Sequence, residues 1–169
     1  TGAVYTIHAT KKLLDRVKLP AVVAVDEPST ALGNWYATVL FWKPQVALFV
    51  NERTLLPVLV PLAPASSLDR RFPAQLGRVL EALGAPPAFI GREVEAMSVA
   101  SYAKTASRSA VGSMNEFAFL AEVSRADGAG DDLVALSVDL AGTPCGPLDK
   151  GSGFPDREVE AIVAATLRD

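Results

Sequence analysis

The chain has 169 residues, half of them hydrophobic, which suits one globular domain with a substantial core. Its single cysteine and single histidine exclude an internal disulfide and a conventional zinc site, and its net charge of −3 argues against binding duplex nucleic acid through charge alone. No apolar run reaches the length of a membrane-spanning helix, and no signal-peptide pattern opens the sequence. We therefore expect one domain over residues 1–169, in the cytoplasm and without membrane contact.

The first elements are predicted from local patterns. Residues 4–9 alternate in polarity and are rich in β-forming residues, which indicates a strand. Thr10 is then a suitable N-cap for a short helix over residues 11–17, which has Leu13 and Val17 on one face. Residues 21–25, with the sequence AVVAV, predict a short second strand.

The strongest strand pattern lies between residues 35 and 50. Two runs dense in β-branched and aromatic residues flank the turn sequence of residues 43–45, which predicts an antiparallel hairpin. Both runs are apolar on both faces, so we expect a sheet that is covered on both sides. Residues 54–60 add a further strand, which Pro57 confines to an edge or a bulge.

The remainder of the chain is mainly helical. Apolar spacing predicts helices over residues 67–83, 92–103, 114–124 and 156–167, in addition to residues 11–17. Residues 133–140 alternate like a strand but also fit a helix, so both assignments stay open. The expected fold is α+β, or α/β, with a mainly antiparallel sheet, a central hairpin and about five helices packed on it.

An unusually polar segment, KTASRSAVGSMNEF at residues 104–117, is the main candidate site. Ser113 and Glu116 match a capping box, which predicts a helix that begins near Met114. Lys104 and Arg108 precede this helix, and two cations beside a helix N-terminus can hold an anion such as phosphate. The alternative is ordinary capping next to a solvated loop, and Glu116 in the first turn would favour that alternative by repelling an anion.

Other candidates come from strand ends and helix starts. Polar residues follow the hairpin, and a lysine opens the first helix. His8 lies in a strand among apolar residues, so we interpret it as a hydrogen-bonded structural histidine. The spacing of the acidic residues matches no metal site, and no cofactor is expected. The candidate ligand-binding residues are Lys104, Thr105, Arg108, Ser113, Asn115, Asn51, Arg53 and Lys11.

Five segments together resemble a family of small bacterial proteins that is defined as a conserved domain of unknown function. These segments are residues 6–13, 33–37, 48–57, 104–120 and 143–145. The resemblance implies a bacterial, cytosolic, stand-alone domain, but no activity. It also implies that the polar residues between Lys104 and Asn115 form a family signature. Besides the candidates above, this signature includes Ser109 and Gly112.

Three functional hypotheses follow. The first is binding, or catalysis, at a phosphate-bearing ligand such as a nucleotide or RNA, with Glu52 or Glu116 as the acid or base if there is turnover. The second is a protein-interaction module, such as part of a toxin–antitoxin or phage-defence pair, which uses the acidic last third and the apolar residues 55–64 as a partner surface. The third is an enzyme that depends on Cys145, which has no activating neighbour in sequence.

Overall fold

A computed structural model describes residues 4–22, 27–128 and 132–168. The five strands within these residues are β1 (Val4–Ala9), β2 (Trp35–Leu40), β3 (Val46–Asn51), β4 (Pro57–Pro61) and β5 (Val99–Lys104). The helices are α1 (Lys11–Val17), α2 (Leu68–Ala82), α3 (Pro87–Ala96), α4 (Arg108–Ala126), α5 (Leu133–Ala141) and α6 (Pro155–Arg168). None of these helices is both long enough and apolar enough to cross a membrane.

The strands form one mixed sheet in the order β4-β3-β2-β1-β5. The predicted hairpin is confirmed, because β2 and β3 pair antiparallel, and β4 extends the antiparallel half. The other half is parallel, because β1 lies between β2 and β5 and runs in the same direction as both. The α+β class is therefore confirmed, but the expected mainly antiparallel sheet is corrected to a mixed one, because two of its four strand pairs are parallel.

Three predicted elements differ from the structure or gain an assignment from it. The predicted helix over residues 92–103 is wrong in its second half, because α3 ends at Ala96 and the alternating segment that follows pairs with β1 as β5. Residues 133–140 belong to helix α5, so the open assignment resolves to a helix. In the predicted strand over residues 21–25, Ala21 and Val22 have no regular structure, and the other three lie outside the described residues.

Side chains alternate between two hydrophobic layers on the two faces of the sheet. On one face, Trp35 and Phe49 pack with Phe72 of α2, in a layer that also receives α1, α3 and α6. On the other face, Tyr36 and Leu48 pack with α4. Helices α1 and α4 therefore lie on opposite faces, and the expected coverage of both faces is confirmed.

The β4 edge of the sheet is closed by helices α2 and α5. The Leu59 N–H donates to Ser137 Oγ at 2.9 Å, and Gln75 Nε2 donates to the Leu59 carbonyl oxygen at 2.9 Å. These bonds satisfy backbone groups that an edge strand would otherwise present to another chain. Most large side chains in residues 55–64 are buried. The expectation that this stretch forms a partner surface is therefore wrong, because its apolar side chains fill the core.

Candidate anion-binding site

Two strand-to-helix turns lie side by side at the end of the sheet where β1 and β5 finish. Ala9 at the end of β1 pairs with Lys104 at the end of β5, so the two chains leave neighbouring parallel strands at the same level. From there, α1 begins on one face of the sheet and α4 on the other. Such a divergence is the topological switch point at which open α/β sheets bind ligands, in the crevice outside the carboxyl ends of the strands. Lys11 and Lys104 both lie at these carboxyl ends of β1 and β5.

Helix α4 begins at Arg108 and not near Met114. Ser107 is its N-cap, and its Oγ accepts a hydrogen bond from the Ala110 N–H at 3.1 Å. The predicted capping box is therefore wrong, because Ser113 lies five residues inside the helix, about 7.5 Å from its first residue. This earlier start of α4 places Arg108 itself at the helix N-terminus.

The first turn of α4 carries no negative charge that would repel an anion at this helix end. The first turn, residues 108–111, contains no acidic residue, and Glu116 lies about 12 Å further along the helix. A helix leaves its first N–H groups without acceptors inside the helix, and Ser107 satisfies only that of Ala110. The N–H groups of Arg108 and Ser109 therefore point out of the helix end, where the helix dipole favours negative charge.

Side chains from two strands hold the turn between β5 and α4. His8 Nδ1–H donates to the Lys104 carbonyl oxygen at 2.9 Å, and Tyr36 Oη accepts from the Ser107 N–H at 3.0 Å. The His8 and Tyr36 rings stack with their centroids 4.7 Å apart. The interpretation of His8 as a hydrogen-bonded structural histidine is therefore confirmed. Both ends of the turn are fixed by the sheet, so its polar groups are preorganised.

The cations in the β1–α1 and β5–α4 turns are exposed to solvent. The side chains of Lys11, Lys104 and Arg108 are exposed, as is that of Thr105 between them in sequence. Within the described part of the chain, none of the three cations forms an ion pair. Lys12 was not predicted and adds a fourth positive charge, although its Nζ lies 5.9 Å from the centroid of the Phe41 ring.

Four predicted residues lie elsewhere, and one of them is Ser113, five residues inside α4. Asn51 and Arg53 lie at the opposite end of the sheet, where β3 finishes beside the start of β2. Strand β3 is also three strands away from β5, which is about 14 Å. The Arg53 guanidinium donates to the Ala31 carbonyl oxygen at 2.8 Å. Asn115 is exposed in the middle of α4, two turns beyond the helix start. The structure therefore places Lys11, Lys104, Thr105 and Arg108 in the two neighbouring turns, but not these four.

The Asn51 side chain is fully buried and shapes the turn between β3 and β4. Its amide nitrogen donates to the carbonyl oxygens of Leu32 and Asn34, at 2.9 and 3.3 Å. Its amide oxygen accepts from the Arg53 N–H and from both the N–H and the hydroxyl of Thr54, at 2.9–3.0 Å. With five such bonds, Asn51 stabilises a turn and has little capacity left for a ligand.

A cavity of about 340 Å³ lies beside the same helix, between α4 and residues 143–147. Ser109, Gly112, Ser113 and Glu116 of α4 line one wall, and the opposite wall includes Thr143 and Cys145. Inspection of local sequence patterns did not predict this cavity, because it joins two segments about 30 residues apart. Both segments are among those that resemble the family, and this resemblance is the sequence signal that could have indicated the cavity.

Cys145 in this cavity is not an activated nucleophile. Burial, and secondarily the negative charge of Glu116, raises the pKa of the Cys145 thiol above its ordinary value. A raised pKa lowers the fraction of reactive thiolate at neutral pH. His8 and Cys145 do not pair in this structure, because His8 Nδ1–H donates to the Lys104 carbonyl oxygen and the Cys145 thiol donates to the Thr143 carbonyl oxygen. The geometry therefore gives no support to an enzyme that depends on Cys145.

Comparison with known families agrees with the sequence resemblance. A model of the family DUF6933, described as a domain of unknown function, matches residues 6–158. The chain belongs to the DUF6933 family. The matched range contains both turns of the candidate site and both walls of the cavity. No match was found among curated proteins or solved structures. The described residues contain no group of three or more His, Cys, Asp or Glu that could hold a metal ion.

Proposed function

We propose that this DUF6933 domain binds a phosphate-bearing ligand, a nucleotide or RNA, in the crevice between the β1–α1 and β5–α4 turns. The observation that carries the proposal is the position of Lys11, Lys104 and Arg108 in the two turns that leave adjacent parallel strands. Positive residues from both turns then border one crevice outside the strand ends. This is the position at which mixed and parallel sheets present ligands to helix N-termini.

Each residue of the crevice has a distinct role in this proposal. Arg108 offers a planar guanidinium that can bind two phosphate oxygens at once, and Lys104 supplies a compact charge beside it. The Thr105 hydroxyl and the first N–H groups of α4 donate further hydrogen bonds to phosphate oxygens. Lys11 approaches from the opposite face of the sheet and closes the crevice.

The position of Arg108 favours a functional role over a structural one. A cation in the first turn of a helix opposes the helix dipole, and it costs a few tenths of a kcal/mol to about 1 kcal/mol of helix stability. Arg108 forms no compensating ion pair within the described residues. An anionic ligand would supply the missing negative charge, since it would interact with both the guanidinium and the helix end.

Calorimetric titration tests the proposal with three compounds: AMP, pyrophosphate and adenosine. AMP and pyrophosphate are expected to bind, and adenosine is expected not to bind at the same concentration, because it lacks the phosphate. Affinity is also expected to fall as salt rises from about 50 to 200 mM, because the site is exposed and salt screens its charges. Equal binding of AMP and adenosine, or no binding of either phosphate compound, would contradict the proposal. A short single-stranded RNA in the same assay distinguishes a polymer from a mononucleotide.

A protein-interaction module is the second candidate, for which α4 supplies the relevant surface. Phe119 and Val123 are 64% and 42% exposed and lie one turn apart on the outer side of α4. Adjacent exposed apolar side chains are typical of partner surfaces. A partner bound there, for instance in a toxin–antitoxin or phage-defence pair, would stay bound to the Lys104→Ala/Arg108→Ala variant in a pull-down and be lost on Phe119→Ser.

A further inference from the structure

The cavity beside α4 begins one residue after Arg108, next to the helix start that the proposed phosphate site uses. Its nearest wall begins at Ser109, the residue after Arg108, and it follows α4 for about two turns to Phe117. A ligand held by its phosphate at the helix start therefore has space for its remaining atoms alongside the same helix. The 143–147 segment lies over that space as its second wall.

The chemistry of the cavity is complementary to that of the helix start. Glu116 brings a carboxylate to its far part, and the hydroxyls of Ser109, Ser113 and Thr143 line it. A carboxylate repels phosphate and accepts hydrogen bonds from hydroxyl or amino groups. The cations at the helix start and Glu116, about 12 Å further along, would therefore orient a ligand that is anionic at one end and rich in donors at the other.

The dimensions of the cavity select a small molecule. Ligand pockets for small molecules have volumes of about 300–1,000 Å³, and the observed value of about 340 Å³ lies near the lower end of this range. Phe117, Pro144 and Pro147 add apolar wall against which a ring can lie. A space of this size suits one ring system and not a nucleic acid strand, which needs an extended groove.

We infer that this cavity holds the organic part of the ligand, and that the ligand is a small phosphate ester of a hydroxylated ring: a sugar phosphate or a mononucleotide. Glu116 is then a specificity-determining residue, which accepts hydrogen bonds from ring hydroxyl or amino groups. This inference rests on the proposed function, because the phosphate at Lys104 and Arg108 fixes the position of the ring.

Cys145 provides a direct reporter of cavity occupancy, because it is the only cysteine in the chain and lies in the cavity wall. Its labelling by a maleimide is measured at about pH 8.5, since the raised pKa of the thiol slows the reaction at neutral pH. Saturating AMP or ribose 5-phosphate is expected to slow labelling at least several-fold, whereas inorganic phosphate leaves the rate unchanged. Protection by AMP alone identifies a mononucleotide, and protection by ribose 5-phosphate alone identifies a sugar phosphate; either result supports the inference.

Two variants separate the cavity from the phosphate site. Glu116→Gln is expected to weaken the protecting ester by about 10-fold and to leave the affinity for inorganic phosphate unchanged, because one charge-assisted hydrogen bond is lost. Glu95→Gln, on the exposed side of α3, is the matched control and is expected to change neither affinity. If AMP binds and requires Lys104 and Arg108 but neither ester protects Cys145, the cavity inference is overturned and the proposed function stands. If AMP, ribose 5-phosphate and inorganic phosphate all fail to bind, both are overturned.

Discussion

Replacing Lys104 and Arg108 together by alanine is expected to abolish AMP and pyrophosphate binding while the protein stays folded. Hydrogen bonds to charged groups contribute about 1.5–3 kcal/mol each, so the loss of both side chains corresponds to an affinity at least about 100-fold lower. Both side chains are exposed, and exposed substitutions usually change stability by less than about 0.5 kcal/mol. The melting temperature is therefore expected to shift by no more than a few degrees. Calorimetric titration and thermal unfolding measure the two effects.

The control for this variant removes the same charge from another surface. Arg70 on α2 and Arg92 on α3 are exposed, and Arg70→Ala/Arg92→Ala lowers the net charge by the same amount. This variant is expected to bind AMP as the parent protein does, apart from a small effect of long-range charge. Equal loss of binding in both double variants would show a general effect of net charge and would contradict a site at the β5–α4 turn.

Asn51→Ala is expected to lower the free energy of unfolding by about 3 kcal/mol. The substitution removes five hydrogen bonds at a fully buried position and leaves the Thr54 N–H, among other groups, without its partner. Each buried polar group left unsatisfied costs about 1–3 kcal/mol, although relaxation of the turn and entry of water recover part of that cost. Urea denaturation measures the change directly from the midpoint and slope.

The same variant distinguishes a structural role for Asn51 from ligand binding. Below its melting temperature, Asn51→Ala is expected to bind AMP with the affinity of the parent protein, because Asn51 lies about 14 Å across the sheet from β5. Asn115→Ala is the matched control, since this exposed residue in a helix interior is expected to change stability by less than about 0.5 kcal/mol. A stable Asn51→Ala protein that no longer binds AMP would contradict the structural assignment.

The elements that follow strong local patterns were predictable from sequence. The hairpin of β2 and β3 is dense in β-branched and aromatic residues, and α1 has the predicted bounds. The start of α4 was not predictable from the capping-box pattern, because Ser and Glu three residues apart also occur within helices. The β5 strand was missed because it lies at the edge of the sheet and is only partly buried, so its apolar pattern is weak.

The candidate site was predictable in composition but not in geometry. The polar signature drew attention to Lys104 and Arg108, and a helix start was expected near them. Their position next to the turn that carries Lys11 depends on the parallel pairing of β1 with β5, which brings Ala9 beside Lys104 from a distant part of the chain. Local patterns do not specify such a pairing. For the same reason, Asn51 shared the strand-end pattern but lies at the other end of the sheet, because β3 runs antiparallel to β2.

The most direct test of the phosphate site is an amide NMR titration of the ¹⁵N-labelled protein with inorganic phosphate. The largest chemical-shift changes are expected at the N–H groups of Arg108 and Ser109, with smaller changes at Lys11 and Thr105, because phosphate would accept hydrogen bonds at the start of α4. The Lys104→Ala/Arg108→Ala variant should lose these changes. A phosphate site at the start of α4 would be contradicted by shift changes confined to other surfaces, such as the arginine-bearing face of α2. It would also be contradicted if millimolar phosphate caused no shift changes.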